Sequence, residues 1–399
     1  MVPKLDKTIG ISVYCTTGTG SGGAIRSSQD QFFVSEVLRK SALDRISDSG
    51  NYAVFKLKKS GIDTNHALAD ILKKHGLRLK ALGLKDANAT TEQYVCDMNA
   101  SSRLGEIRTN RYSLEKAGFV KKPLTKKDMV GNHFKIRIEG ADFAKVSGFD
   151  QYDRILNFYG YQRFGSRRPV SHLVGRSIVK RDFEGAVGAL LSETSEHDLP
   201  GNNKIREDLK DKANYASVLP LMPPQMDVEK AVLKEMVEHG SPLKALHSVP
   251  LSLRRFFVEA YQSLIFNRTV SMAYEMGEDL VKAQANDVCY DRDDNLGRYQ
   301  GDPDQRLAVP LVGYSYSKRN RFEYQIDKVL EEEQVTPKDF FVRDMQEVSS
   351  EGGFRQSTIC CTEFAVAEPH VSFTLSRGSY ATILLREIMK PGDPVAAGF

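Results

Sequence analysis

The sequence predicts an α+β protein: a mixed or antiparallel sheet whose chain is interrupted by a second, inserted domain. Three observations carry this prediction. Short segments of alternating apolar and polar residues fill the first part of the chain. Helical spacing of apolar residues dominates after about residue 150. Strand character then returns from about residue 354, so β-rich segments flank a helical middle.

Taken in order, residues 24–38 read as extended, with Phe32, Phe33, Val34 and Val37 among polar neighbours. Tyr52–Lys58 places Ala53, Phe55 and Leu57 on one face. Asp63 or Thr64 caps a helix carrying Ala67, Leu68, Ile71 and Leu72, which Gly76 ends. Residues 91–97 form a short strand. Residues 133–139 alternate Phe134, Ile136 and Ile138 with Lys135, Arg137 and Glu139.

Residues 178–192, 226–239 and 254–277 are expected to be helical. The last holds Phe256, Phe257, Ala260, Tyr261, Leu264 and Ile265. Pro200, Gly201, Pro220, Pro223 and Pro224 make residues 200–224 a loop-rich stretch. Residues 286–316 read as short strands or loops, and Thr336-Pro337 opens a further helical piece. Ile359–Ala367 and His370–Leu375 are expected strands, and Ser379 caps a final helix with Tyr380, Ile383, Leu384 and Ile388.

Composition narrows the function classes. The chain has 399 residues, 41% hydrophobic and 27% charged, enough for two domains. No apolar run reaches the ~18 residues of a membrane span. The first residues, Met1 to Asp6, lack an apolar signal core, so the expectation is a cytoplasmic protein. Five cysteines without a Cys-x-x-Cys pair, and histidines without a helical His-x-x-x-His pair, predict neither a disulfide framework nor a metal centre. The net charge of +4 is compatible with nucleic acid without requiring it.

The glycine-rich run Gly18–Gly23 lacks the preceding strand, following helix and Lys-Ser/Thr ending of a phosphate loop, and a turn is favoured. Among the basic clusters, residues 158–168 stand apart because Arg163, Arg167 and Arg168 are interleaved with aromatics. Guanidinium groups hold phosphates and aromatic faces stack on unpaired bases. The rival reading is a core-plus-surface segment. Asp86, following Gly83-Leu84-Lys85, is by itself an ordinary turn or cap residue.

Six motifs stand in order along the chain: Gly22-Gly-Ala-Ile-Arg26 with Asp30–Glu36; Gly83–Gln93; Gly131-Asn-His-Phe134; Phe158–Gly165; Arg254–Asn267; and Arg377–Glu387. Together they resemble the TruD family of pseudouridine synthases over nearly the whole chain. The long insertion and residues 171–179 look like the archaeal and eukaryotic branch. Departures are Arg26 where lysine is common, Tyr380 where phenylalanine occurs, and Ser27-Ser28-Gln29-Asp30-Gln31 in place of the proline that commonly precedes an Asp-Phe pair.

The resemblance implies a discontinuous catalytic domain, residues 1–157 and 353–399, with an inserted α+β TRUD domain at 158–352. It implies conversion of uridine to pseudouridine in tRNA, at uridine 13 of the D arm, without a cofactor. Asp86 is then the nucleophile, acting at C1′ or through a glycal route, with Lys85 or Arg26 favouring its ionised form. The target base must be flipped out, and Phe134 and Tyr380 either stack on it or pack in the core. Asn132 orients Asp86, bonds the uracil edge, or is a turn residue; Phe32 is a pocket wall or core. Thr90 and Gln93 shape the loop that holds Asp86. Arg163, Arg167 and Arg168 are the expected phosphate contacts. A monomer with tRNA as its partner is expected. The rival class is a tRNA-binding protein or folding chaperone without catalysis, against which the intact Lys85-Asp86, Asn132 and Phe134 set argues. A nucleotide-dependent RNA-modifying enzyme is a third reading, disfavoured by the missing phosphate-loop ending.

Overall fold

The computed structural model describes residues 1–85, 87, 89–99 and 106–399. The chain divides into two compact units: residues 16–155 with 359–399, and residues 1–15 with 156–358.

The first unit is built on a ten-stranded sheet. Its strands are β1 (Phe32–Leu38), β2 (Tyr52–Lys59), β3 (Leu79–Ala81), β4 (Thr90–Asp97), β5 (Glu106–Arg108), β6 (Tyr112–Val120), β7 (Met129–Arg137), β8 (Arg154–Leu156), β9 (Thr358–Ala367) and β10 (His370–Ser376). Their order is β5-β6-β2-β4-β1-β7-β10-β9-β8, with β3 paired to β4. The sheet is mixed: β1 lies parallel to β4 and antiparallel to β7. The helix Thr64–His75 covers part of one face, where Ala67 and Ile71 join Phe55, Leu57 and Val95 in a buried cluster. Asp63 caps it by accepting from the His66 amide at 3.1 Å, and Gly76 ends it with φ 69°. The closing helix Ala381–Met389 is buried along its whole length, and Tyr380, not Ser379, occupies its N-cap.

The second unit is mostly helical. The long helix Leu251–Glu275 forms its centre, with most of its residues buried. A four-stranded sheet of Val288–Tyr290, Leu296–Arg298, Arg306–Leu311 and Gly353–Gln356 accompanies the helices. Residues 1–15 belong here and not with the β-rich part, where the expected span 1–157 put them. Buried polar bonds explain this: Tyr161 donates to the Asp6 carboxylate at 2.7 Å, Asn267 to the Ile9 carbonyl at 2.9 Å and Ser271 to the Gly10 carbonyl at 3.0 Å.

Two expectations for this unit fail for local reasons. The single helix expected over 178–192 is two, Ser171–Val179 and Phe183–Ser192. Arg181 takes φ 60° between them, and Asp182 caps the second by accepting from the Gly185 amide at 2.8 Å. The loop-rich stretch 200–224 begins with a helix, Pro200–Asp208, because Pro200 stands in its first turn, where its missing N–H costs nothing. Among the described residues, no helix is long and apolar enough to cross a membrane.

Candidate active site

The backbone of Gly83, Leu84 and Lys85 leads to Asp86, which lies outside the described residues. Around this approach the chemistry is dense. Lys85 Nζ lies 3.2 Å from Glu36 Oε1, with the Glu36 side chain 0% and the Lys85 side chain 10% exposed. The other Glu36 oxygen accepts from the Tyr94 amide at 3.0 Å. Burial raises the Glu36 pKa, and the Lys85 charge is the largest influence opposing that rise. A Cβ on Gly83 would stand 3.3 Å from Glu36 Oε1 and 3.5 Å from Lys85 Nζ, so glycine lets the chain pass close to the pair. Lys59, Thr64 and Gln93 bond the Gly83 and Lys85 backbone from behind.

The sheet register brings most of the other expected residues to one face. Lys59 pairs with Thr91, Thr91 with Val34, Val34 with Phe134, and Phe134 with Phe373. Two residues along, Glu36 pairs with Asn132 and Asn132 with Leu375. Directly paired residues share a face, so Asn132 and Phe134 lie beside Glu36 and Val34. The Asn132 Oδ1 atom is buried and accepts no hydrogen bond from a described residue. Phe32 and Phe134 are buried and meet edge-on, with centroids 6.2 Å apart. Phe373 stacks on Phe134 with centroids 5.4 Å apart. The Arg26 guanidinium lies 4.2 Å from the centre of the Phe32 ring and donates to the Gly398 carbonyl at 3.4 Å. Tyr380 follows β10, whose last residue, Ser376, pairs with Gly131.

The three arginines expected to touch phosphate differ sharply. Arg167 is exposed, and its side chain makes no hydrogen bond or ion pair with a described residue. Arg163 pairs with Glu259 at 2.9 Å and lies over the Tyr159 and Phe256 rings. Arg168 is committed to the protein. It donates to the Leu190 and Glu193 carbonyls and pairs with Glu229 at 3.2 Å, so its guanidinium does not reach out for phosphate. Burial pushes its pKa down to about 10. Among the described residues, one group of potential metal ligands converges, Glu235, Glu238 and His239, near the end of the helix Asp227–His239 and outside this site.

Sequence reasoning missed Glu36 as a site residue, together with Lys59 and Thr64. A signal was present. Glu36 follows Phe32 and Val34 on the apolar phase of β1, and Lys59 follows Phe55 and Leu57 on that of β2. A charge on the buried phase of a strand needs a partner.

Comparison with known proteins completes the picture. The family model for tRNA pseudouridine synthase D (TruD) matches residues 8–388. A protein of Pyrobaculum islandicum named "Probable tRNA pseudouridine synthase D" is 32% identical, with 100% of this chain and 99% of that protein covered. One of the same name from Methanococcoides burtonii is 28% identical, with 98% of each covered. A crystal structure of the "Putative tRNA pseudouridine synthase D (TruD)" from Methanosarcina mazei superposes with a TM-score of 0.79. Its identity is 25%, and 99% of each chain is covered.

Proposed function

Because the chain belongs to the tRNA pseudouridine synthase D family, we propose that it isomerises uridine to pseudouridine in tRNA, at uridine 13 of the D arm, with Asp86 as nucleophile. The match along residues 8–388 carries this reading. In the reaction the N1–C1′ bond breaks, the same uracil turns, and a C5–C1′ bond forms. N1 gains a proton and C5 releases one to solvent. The atoms balance without an oxidant, a nucleotide or a second substrate.

The site supplies groups suited to each demand. Asp86 acts on the sugar, by attack at C1′ or by the glycal route. The Lys85 charge is shared with Glu36, and Lys85 or Arg26 favours an ionised Asp86. The target uridine is flipped from its stack at a cost of a few kcal/mol. Tyr380, half-buried, is the ring that stacks on the extruded base, while Phe134, buried against Phe32 and Phe373, supports the site from the core. The unpartnered Asn132 Oδ1 is suited to accept from uracil N3–H. The β-rich unit is the catalytic domain, and the helical unit is the inserted TRUD domain that grips phosphate through Arg167. A single chain, working in the cytoplasm, suffices.

Incubation with tRNA transcript tritiated at uridine C5, without ATP or added metal, tests this directly. Wild type releases tritium and Asp86→Asn does not. Equal release by both removes Asp86 from its role, and binding without release points to a non-catalytic RNA-binding protein.

A further inference from the structure

We propose that Lys59, Thr64 and Gln93 form a positioning clamp that fixes the chain entering residue 86 and so sets the rate of the chemical step without touching RNA. The inference rests on the reading of Asp86 as the nucleophile. All three side chains are buried, Lys59 and Thr64 at 1% exposure and Gln93 at 0%. Gln93 Nε2 donates to the Gly83 carbonyl at 3.0 Å. Thr64 Oγ1 accepts from the Lys85 amide at 2.9 Å and donates to Gln93 Oε1 at 2.9 Å. Lys59 Nζ donates to the Lys85 carbonyl at 3.0 Å and to the Ile62 carbonyl at 2.9 Å. The Thr64 amide adds a bond to the same Lys85 carbonyl at 3.1 Å.

Each member comes from a different element: the last residue of β2, the first residue of the helix Thr64–His75, and the middle of β4. Their positions are therefore set by the sheet and helix, not by the loop they hold. A peptide group is planar, so fixing the Lys85 carbonyl fixes the plane through which the chain enters residue 86. Burying a lysine amine is costly, and here it is directed at the backbone of this loop. Leu84, between the clamped residues, is 70% exposed, so apolar packing of that side chain is not what holds the segment. Displacement of a reacting group by about 1 Å costs about 100-fold in rate.

The test compares Thr64→Val, which keeps the shape and removes the hydroxyl, with Thr64→Ser, which restores it. Asp86→Asn is run alongside in the same tritium-release assay. Thr64→Val is expected to lower kcat by about 10–100-fold while KM for tRNA stays within about 2-fold, the signature of a lost rate without lost binding. Thr64→Ser recovers most of kcat, and both variants melt together. A wild-type kcat in a folded Thr64→Val overturns the clamp, as does a loss that Thr64→Ser does not restore or one accounted for by KM. If Thr64→Val fails to fold, Gln93→Met, which removes the Gly83 bond and the Thr64 acceptor, carries the same expectation. An active Asp86→Asn sinks the nucleophile itself. An inactive Asp86→Asn beside a fully active Thr64→Val sinks the clamp alone.

Discussion

Replacing Lys85 by methionine isolates what the buried Glu36 carboxylate demands of its neighbours. The pair is nearly shut off from water, 10% and 0% exposed, with 3.2 Å between Nζ and Oε1. In Lys85→Met one Glu36 oxygen keeps its bond from the Tyr94 amide and the other loses its charge partner. Removing one member of such a pair costs about 3–5 kcal/mol, against about 0–1 kcal/mol for a solvent-exposed one. The pH dependence has a fixed sign. Burial already raises the folded pKa of Glu36, and Lys85 restrains that rise, so the variant raises it further. A carboxyl that holds its proton more tightly when folded favours the folded state most at pH values below its unfolded pKa of 4.5, and that gain is lost as pH rises through the folded value. The deficit of Lys85→Met therefore shrinks as pH is lowered from neutrality. Adding Glu36→Gln in the same chain recovers most of it, because a neutral amide needs no counter-charge. Urea unfolding at about pH 7 and about pH 5 reads both effects. A loss below about 1 kcal/mol, or one that ignores pH and the second substitution, refutes the argument.

Three further outcomes follow from other parts of the molecule. Arg167→Ala should reduce the slope of log K against log salt for tRNA by about 1 with stability unchanged, whereas Arg168→Ala should leave the slope and cost about 3–5 kcal/mol of stability. Salt titration and urea unfolding separate the two. Gly131→Ala would bring a Cβ to 2.0 Å from the Leu375 carbonyl, forcing β7 and β10 apart. It should cost about 1–3 kcal/mol and speed hydrogen exchange across that pair. His172 is buried, and burial depresses its pKa to about 4, so wild-type stability should be full above its ordinary 6.5 and fall as pH drops toward 4. The fall is at most about 1.4 kcal/mol per pH unit and should be flattened in His172→Gln.

The order of strands and helices was legible wherever one local rule acted alone. β-rich composition located β2 and β10, and a cap at Asp63 or Thr64 with Gly76 bracketed the first long helix to within a residue. It failed where neighbouring rules competed. β6 escaped notice because a register shift at Val54/Phe55 of its β2 partner breaks the alternation of Tyr112–Val120. β7 begins at Met129, earlier than its clean alternation, because Gly131 packs against β10 with no side chain to mark the phase. The proline-rich stretch concealed a helix because proline breaks a helix in its middle and favours one at its start.

The candidate site was proposed through motif order and much less through its physics. Asn132 and Phe134 share a face with Glu36 and Val34 only after β1, β7 and β10 are in register, a relation no single segment contains. Arg168 looked like Arg167, and only tertiary contact separates a guanidinium spent on Leu190 and Glu229 from one left in water. The charges on the buried phase are more informative than either. Glu36 on β1 and Lys59 on β2 break the apolar phase of their strands in opposite sign, at a site where burying each would be unfavourable alone. Both converge on Gly83–Lys85: Glu36 meets the Lys85 ammonium, and Lys59 meets the Lys85 carbonyl. A fold that needed only a stable loop at this point would be served by apolar residues at both positions. Two opposite charges on the buried phase instead grip one lysine, by its side chain and by its backbone, and each gives the other strand's charge a reason to be buried there.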